Sequence, residues 1–125
     1  MRIAIDFDGT LVDHRYPNIG APAPGAFEWL HRWRDAGAIL ILWTMRHDEG
    51  LQEAVDYCEQ QGIVFNAVNE VPDDRKWTTS PKVYANVYVD DAAFGCPLKP
   101  GPLTDSRPWV DWNIVGPAIM DKINA

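Results

Sequence analysis

Apolar residues in this chain fall into short blocks that are separated by polar segments. Four blocks of strand length lie at residues 2–5, 38–43, 63–68 and 83–89. The second block, AILILW, is apolar at every position, which is typical of a strand buried on both faces of a parallel sheet. The four blocks therefore predict four strands of a mainly parallel sheet.

The segments between these blocks have helical periodicity. Apolar residues recur three and four positions apart over residues 26–36 and 49–61, and a glycine follows each segment. Residues 114–123 are predicted to form a short closing helix. Strands that alternate with helices predict βαβ units, and hence a single domain over residues 1–125 with a three-layer α/β sandwich.

Composition narrows the class of protein. Hydrophobic residues make up 46% of the 125 residues, which is enough for a core, and the formal net charge is −7 with a pI of about 4.7. This charge argues against nonspecific binding to nucleic acid or to an anionic membrane, and no apolar run approaches bilayer-spanning length. A phosphorylated substrate stays compatible with the charge if a divalent cation lies between it and the acids.

The cysteines and the first residues predict a cytoplasmic protein. Cys58 and Cys96 lack metal-ligand spacing and are expected to be reduced thiols, with Cys58 in the core. The first strand begins at residue 2, which leaves no room for a signal peptide.

Polar side chains follow three of the predicted strands. Asp6 and Asp8 come after the first strand, Thr44 after the second, and Asp90 and Asp91 after the fourth. The carboxyl ends of parallel strands meet at one edge, where ligands of open α/β sheets bind. Asp6 and Asp8 share one side of the chain and repel each other, so a cation is needed there. We therefore predict that Asp6, Asp8, Asp90 and Asp91 bind Mg²⁺.

These residue types suit phosphoryl transfer. Asp6 is predicted to attack a phosphoryl group and form an aspartyl-phosphate. Asp8 is predicted to act as general acid on the leaving oxygen and then as base for water. Thr44 can donate a hydrogen bond to the phosphate, and Lys82 can supply positive charge, unless Lys82 is an ordinary surface lysine.

Residues close to these strand ends are further candidates for substrate binding. Gly9 allows the backbone to approach a phosphate closely, and Thr10 follows it in the same turn. Arg46, two residues after Thr44, is a candidate phosphate contact. The alternative for Arg46 is an ion pair with an acid such as Asp48.

Four segments resemble the motifs of the haloacid dehalogenase superfamily of phosphohydrolases. Residues 6–10, DFDGT, resemble its first motif, and residues 42–44, LWT, resemble its second. Lys82 stands where the third motif supplies a lysine, and residues 87–91, VYVDD, resemble the fourth. The four segments occur in the order of the family and span most of the chain.

The resemblance implies a Rossmann-like fold, dependence on Mg²⁺ and hydrolysis of a phosphomonoester through Asp6. Within the last acid pair it favours Asp91 as the direct metal ligand, with Asp90 in support. Many members carry an inserted cap domain, but residues 11–25 are too short for one. The chain is therefore similar to the small capless phosphohydrolases.

A capless site is open, so the loops around it are expected to choose the substrate. In the Pro- and Gly-rich loop of residues 11–25, the candidate contacts are His14, Arg15 and Tyr16. Residues 68–81 and the tail are expected to contribute as well. The expected partner is a small phosphorylated molecule; a macromolecular substrate is the alternative, although the acidic charge disfavours nucleic acid.

The tail from residue 97 to 108 is predicted to be irregular. Beyond it, Trp109 and Trp112 are expected either to fold over the sheet or to form a contact between two copies of the chain. A homodimer is thus a further candidate assembly.

Two other functions use the same residue types. Response-regulator receivers also combine an acid pair, an acceptor Asp, a Thr and a Lys on an α/β sheet. Their acid pair is on the first strand, whereas here it follows the last one. The other alternative is a catalytically degenerate relative, which binds or signals without turnover.

Overall fold

A four-stranded parallel sheet forms the centre of the fold. Its strand order is β3-β2-β1-β4, and the strands are β1 (Arg2–Ile5), β2 (Ile39–Leu42), β3 (Ala67–Val68) and β4 (Val87–Val89). The computed structural model describes residues 1–72 and 77–125. Residues 73–76, which belong to the predicted substrate loop of residues 68–81, lie outside the described residues.

Within the described residues, three helices accompany the sheet: α1 (Ala26–Asp35), α2 (Asp48–Gln60) and α3 (Trp112–Asn124). Each lies within two residues of its predicted bounds, so the periodicity that predicted α1 and α2 and the prediction of a closing helix are confirmed. At the start of α3, the side chain of Asp111 accepts the backbone N–H of Asn113 at 3.1 Å, which satisfies one of the free donors of the first turn. In the described ranges, no helix combines the length and the apolar character needed to cross a membrane.

Both faces of the sheet are buried. Ile3, Ile5 and Leu40 point to one face, and Ala4 and Ile41 point to the other, because successive side chains of a strand alternate. None of these five side chains is more than 1% exposed. This burial explains why β1 and β2 are apolar at consecutive positions, and it confirms the predicted α/β class with a parallel sheet.

Helix α1 contacts each of the other two helices. The ring of Phe27 in α1 lies 5.9 Å from that of Tyr57 in α2, and Trp33 in α1 lies 5.3 Å from Trp112 in α3. The connections from β1 to β2 and from β2 to β3 run in one direction across the sheet, and right-handed crossovers then place both helices on one face. The predicted second helical layer is not observed among the described residues.

Several strands are shorter than their apolar blocks. Only Ala67–Val68 of the block at 63–68 and Val87–Val89 of the block at 83–89 are strand. The tail is more regular than predicted, because β5 (Leu98–Lys99) and β6 (Trp109–Val110) form an antiparallel pair. Two-residue strands leave no periodicity to read, so this pair could not be predicted.

The tail packs onto the loop that follows β1. The indole N–H of Trp112 donates to the carbonyl of Thr10 at 2.8 Å, and the backbone N–H of Val110 donates to the carbonyl of Gly9 at 3.2 Å. Trp109 and Trp112 are 4% and 0% exposed. Of the two expectations for these tryptophans, folding over the body of the protein is the one observed. Cys58 is also buried, as predicted.

Candidate active site

Asp6, Asp90 and Asp91 meet at the carboxyl edge of the sheet. Asp6 follows β1, and the other two follow β4, which is the neighbouring strand. The backbone N–H of Asp6 donates to the carbonyl of Val89 at 2.9 Å, which keeps the two strand ends in register. One carboxylate oxygen of each acid lies within 4.8 Å of the other two. Three oxygen ligands of this kind suit a hard cation such as Mg²⁺.

Crowding and burial raise the pKa values of Asp6 and Asp90. The pKa of Asp6 is raised to about 8, first by desolvation and then by the negative charge of Asp90. Desolvation also raises the pKa of Asp90, against the hydrogen bond that its carboxylate accepts from the N–H of Ala92 at 2.9 Å. Such shifts indicate negative charge that the protein itself does not neutralise. A divalent cation would neutralise this charge, so the oxygen ligands and the electrostatics of the acids both suit such an ion.

Thr10 holds two of the three acids in place. Its hydroxyl donates to Oδ2 of Asp6 at 2.9 Å, and the same oxygen accepts the backbone N–H of Asp91 at 3.1 Å. The side chain is fully buried. Thr10 therefore positions the acids, and the structure does not place it as the substrate contact that the sequence predicts.

Gly9 makes room for a protein side chain. Its φ is +81°, and a Cβ at this residue would lie 2.7 Å from Cγ of Asp91. Its N–H is donated to the carbonyl of Val12 at 2.8 Å. The close approach predicted for a phosphate is thus made by Asp91, and any larger residue at this position would displace that acid.

Asp8 is separate from the acidic group and pairs with Arg46. The Nε and Nη2 atoms of Arg46 donate to the two carboxylate oxygens of Asp8 at 2.8 and 2.9 Å. Such a two-pronged contact is the strongest geometry for this kind of pair. The group that could hold a metal is therefore Asp6, Asp90 and Asp91, without the Asp8 carboxylate that the sequence adds to it.

Arg46 is enclosed by the loop after β1. Its side chain is 1% exposed, and it also donates to the carbonyls of Pro17, Asn18 and Gly50 at 2.9 to 3.4 Å. The hydrogen bonds with Asp8 raise the pKa of the guanidinium above its usual range. The alternative prediction for Arg46, an ion pair with an acid, is confirmed with Asp8 in the place of Asp48, and the guanidinium that was a candidate phosphate contact is occupied by these protein partners.

Thr44 lies at the end of β2 with its hydroxyl at the cavity. Its oxygen accepts the backbone N–H of Arg46 at 3.1 Å, which leaves the hydroxyl hydrogen for a ligand. Asn69 fixes the backbone beneath it: its side chain accepts the N–H of Thr44 at 2.8 Å and donates to the carbonyl of Thr44 at 3.0 Å. The predicted position of Thr44 beside Asp6 is the one observed.

A cavity of about 530 Å³ opens over the acids. Its lining includes four acids, Asp6, Asp8, Asp90 and Asp91, and it also includes His14, Tyr16, His47 and Arg107. His14 and Tyr16 therefore lie at the site, where the sequence predicts them. The cavity thus combines acidic groups with basic and aromatic side chains.

Lys82 is not part of this cavity. It is exposed, and its Nζ lies 5.5 Å from the ring centre of Tyr88. It lines separate surface cavities with Trp77 and Tyr84. One of these cavities is also lined by Asn69, which follows β3 and bonds Thr44, so Lys82 lies outside the cavity of the acids although it is close to the same edge of the sheet.

Arg15 serves the loop instead of the cavity. It donates to Asp13 at 2.9 Å and to both oxygens of Asp105 at 2.8 and 3.2 Å, and it also bonds Ser106. These bonds attach the loop to the tail. The prediction that Arg15 contacts substrate is not met, because its guanidinium is occupied by these partners.

Sequence reasoning missed three residues of the site: Asn69, His47 and Arg107. The signal for Asn69 was an amide directly after an apolar block, and that for His47 was its place three residues after Thr44. Arg107 had no signal, since it stands between Ser106 and Pro108 in a tail that was predicted to be irregular.

No family model and no curated protein matches the chain. A solved structure, of a conserved protein from Bacteroides thetaiotaomicron, is 36% identical and superposes with a TM-score of 0.80. The match covers 98% of this chain and 91% of that protein. The two chains share their architecture over nearly their whole length.

Proposed function

We propose that this chain, which belongs to the same family as the conserved Bacteroides thetaiotaomicron protein, is a Mg²⁺-dependent hydrolase of phosphomonoesters. The single observation that carries the proposal is the meeting of Asp6, Asp90 and Asp91 at one end of a cavity that Thr44 also lines. The resemblance of four segments to the haloacid dehalogenase motifs supports the same chemistry. A capless, Rossmann-like fold of that superfamily is part of the proposal.

Asp6 is the proposed nucleophile. One carboxylate oxygen attacks the phosphorus, the ester oxygen leaves, and an aspartyl-phosphate forms on Asp6. Thr10 donates to the other oxygen, Oδ2, at 2.9 Å, which leaves Oδ1 as the attacking atom. Thr44 donates its hydroxyl hydrogen to a phosphoryl oxygen and orients the group for attack.

Asp6, Asp90 and Asp91 are the residues that would hold Mg²⁺. When bound, the ion supplies positive charge that favours the ionised form of Asp6 and offsets its repulsion from the phosphate. The raised pKa of Asp6 supports this assignment, because the carboxyl needs such compensation to be a nucleophile at neutral pH.

Asp8 is proposed to transfer the protons of both steps. It gives a proton to the leaving oxygen and later takes one from the water that hydrolyses the aspartyl-phosphate. Both of its oxygens accept hydrogen bonds from Arg46. We therefore propose that the Asp8 side chain releases at least one of these bonds and takes up a proton from solvent when a substrate occupies the cavity, and that this proton is the one given to the leaving oxygen.

The test is hydrolysis of p-nitrophenyl phosphate with and without Mg²⁺ by wild type, Asp6→Asn and Asp121→Asn. Asp121 lies on the exposed side of α3, so its variant is a matched control for the same chemical change. We expect Mg²⁺-dependent turnover in wild type and control, and a loss of about 1,000-fold or more in Asp6→Asn. Full activity in Asp6→Asn would show that the nucleophile is a different residue.

A binding module without turnover is the second candidate. It is favoured by the position of Lys82 outside the cavity and by the ion pair that occupies Asp8. Calorimetric titration with Mg²⁺ distinguishes both of these functions from a protein that binds no metal. Binding of Mg²⁺ that Asp6→Asn abolishes, without turnover of any phosphomonoester, would favour the binding module. Absence of both Mg²⁺ binding and turnover would exclude a metal site at Asp6, Asp90 and Asp91.

A further inference from the structure

The acidic end of the cavity has more negative charge than one divalent cation can neutralise. Asp6, Asp90 and Asp91 together carry three negative charges when ionised, and Asp8 already has its partner in Arg46. One Mg²⁺ therefore leaves an excess of negative charge, and a phosphate group adds to it. Binding of a phosphate needs a further cation from the protein.

Among the described residues that line the cavity, the cationic candidates differ in how free they are. Arg46 is fully engaged, and Nδ1 of His47 lies 3.2 Å from the carboxylate of its neighbour Asp48. The charge of a histidine also depends on pH, whereas arginine stays charged. Arg107 lines the cavity, is exposed, and makes no ion pair within the described part of the chain.

The backbone on each side of Arg107 is anchored to the loop after β1. On one side, the hydroxyl of Ser106 donates to buried Asp13 at 2.9 Å and accepts from Arg15 at 2.9 Å. On the other side, Val110 donates to the carbonyl of Gly9 at 3.2 Å. The side chain of Arg107 thus starts from a fixed point beside the nucleophile turn while its guanidinium stays free.

We propose that Arg107, from the tail, binds the phosphate group of the substrate and supplies the positive charge that the motif resemblance assigns to Lys82, which does not line this cavity. The inference rests on the proposed function, because it assigns a residue to the phosphate of that reaction. A guanidinium can donate two parallel hydrogen bonds to phosphate oxygens, which a tail anchored at both sides can aim.

The experiment measures the affinity of inorganic phosphate by calorimetry in the presence of Mg²⁺, next to kcat/KM for p-nitrophenyl phosphate. The variants are Arg107→Ala, Arg107→Lys, Lys82→Ala, and Arg32→Ala as an exposed arginine away from the cavity. We expect Arg107→Ala to weaken phosphate binding by about 10- to 100-fold, with partial recovery in Arg107→Lys. The melting temperature of Arg107→Ala should equal that of wild type, since the guanidinium has no ion-pair partner among residues 1–72 and 77–125.

The outcomes separate this inference from the proposed function. If wild type turns over and needs Asp6, but Arg107→Ala stays within about twofold of it, the function stands and the role of Arg107 is refuted. A large loss in Lys82→Ala alone would assign the charge to that lysine. If wild type does not turn over but binds phosphate through Arg107, the anion site stands and the hydrolase does not. Absence of both phosphate binding and turnover would overturn both.

Discussion

Replacement of Arg46 by Met will destabilise the fold strongly, because it leaves the Asp8 carboxylate buried without its partner. The side chains of Arg46 and Asp8 are 1% and 12% exposed, and two hydrogen bonds of 2.8 and 2.9 Å join them. Met keeps most of the apolar stem, so the loss is confined to the guanidinium. The carbonyls of Pro17, Asn18 and Gly50 lose a donor as well.

Breaking a buried pair by removal of one partner costs about 3–5 kcal/mol in free energy of unfolding. The 12% exposure of Asp8 admits some water, so the lower end of that range applies. About 3 kcal/mol corresponds to a fall in Tm of about 10 °C for a chain of this size. The double variant Asp8→Asn, Arg46→Met removes the stranded charge, and we expect it to recover about 1–2 kcal/mol.

Urea unfolding followed by circular dichroism measures these free energies. Arg34→Met is the control, because the ion pair of Arg34 with Asp35 is exposed, with side chains 42% and 71% accessible, and such pairs contribute about 0–1 kcal/mol. A loss in Arg46→Met no larger than that of the control would refute the reasoning. So would a double variant that is less stable than Arg46→Met alone.

Two further predictions concern stability. Because burial raises the pKa of Asp6 to about 8 from an ordinary 3.8, the proton on Asp6 stabilises the metal-free fold at low pH. That contribution is lost as pH rises through about 8. The Tm of metal-free wild type should therefore fall more between pH 6 and 9 than the Tm of Asp6→Asn does. Addition of Mg²⁺ should remove this difference between the two proteins. Gly116→Ala should lower the free energy of unfolding by about 1–3 kcal/mol, because its Cβ would overlap the ring of Trp29. Gly50→Ala in α2 is the control, because the nearest other atom is 3.9 Å away and the protein should not be destabilised. Thermal melts of both variants measure the difference.

The acids of the site could be predicted because each follows directly from a strand. Asp6 and Asp91 come within two residues of β1 and β4, and the pairing of those strands leaves few positions for them. Thr44 was predictable for the same reason, since it follows β2. Short separation from a regular element is what makes such a placement reliable.

The partners of Asp8 and the free cation were not predictable from the chain. From the sequence, Arg46 could bind a phosphate or pair with Asp48. It pairs with Asp8 because the carbonyls of the enclosing loop hold its guanidinium there. Lys82 matches a motif in sequence order, but the position of its side chain depends on the path of the irregular segment before β4. Arg107 arrives at the cavity through a hairpin whose strands have two residues each. Contacts between irregular segments carry no periodic signal.

The hydrogen bond from Trp112 to Thr10 has a consequence for the order in which the protein is made. The two residues are 102 positions apart, so the ribosome adds the tryptophan about 5–20 s after the threonine. During that interval the acids that follow β1 and β4 have been synthesised, but the turn that carries Thr10 lacks its last anchor. A nascent chain arrested before residue 112 should therefore hold its sheet residues while the proposed cation site is still incomplete, and that site should be completed only after the final helix has emerged.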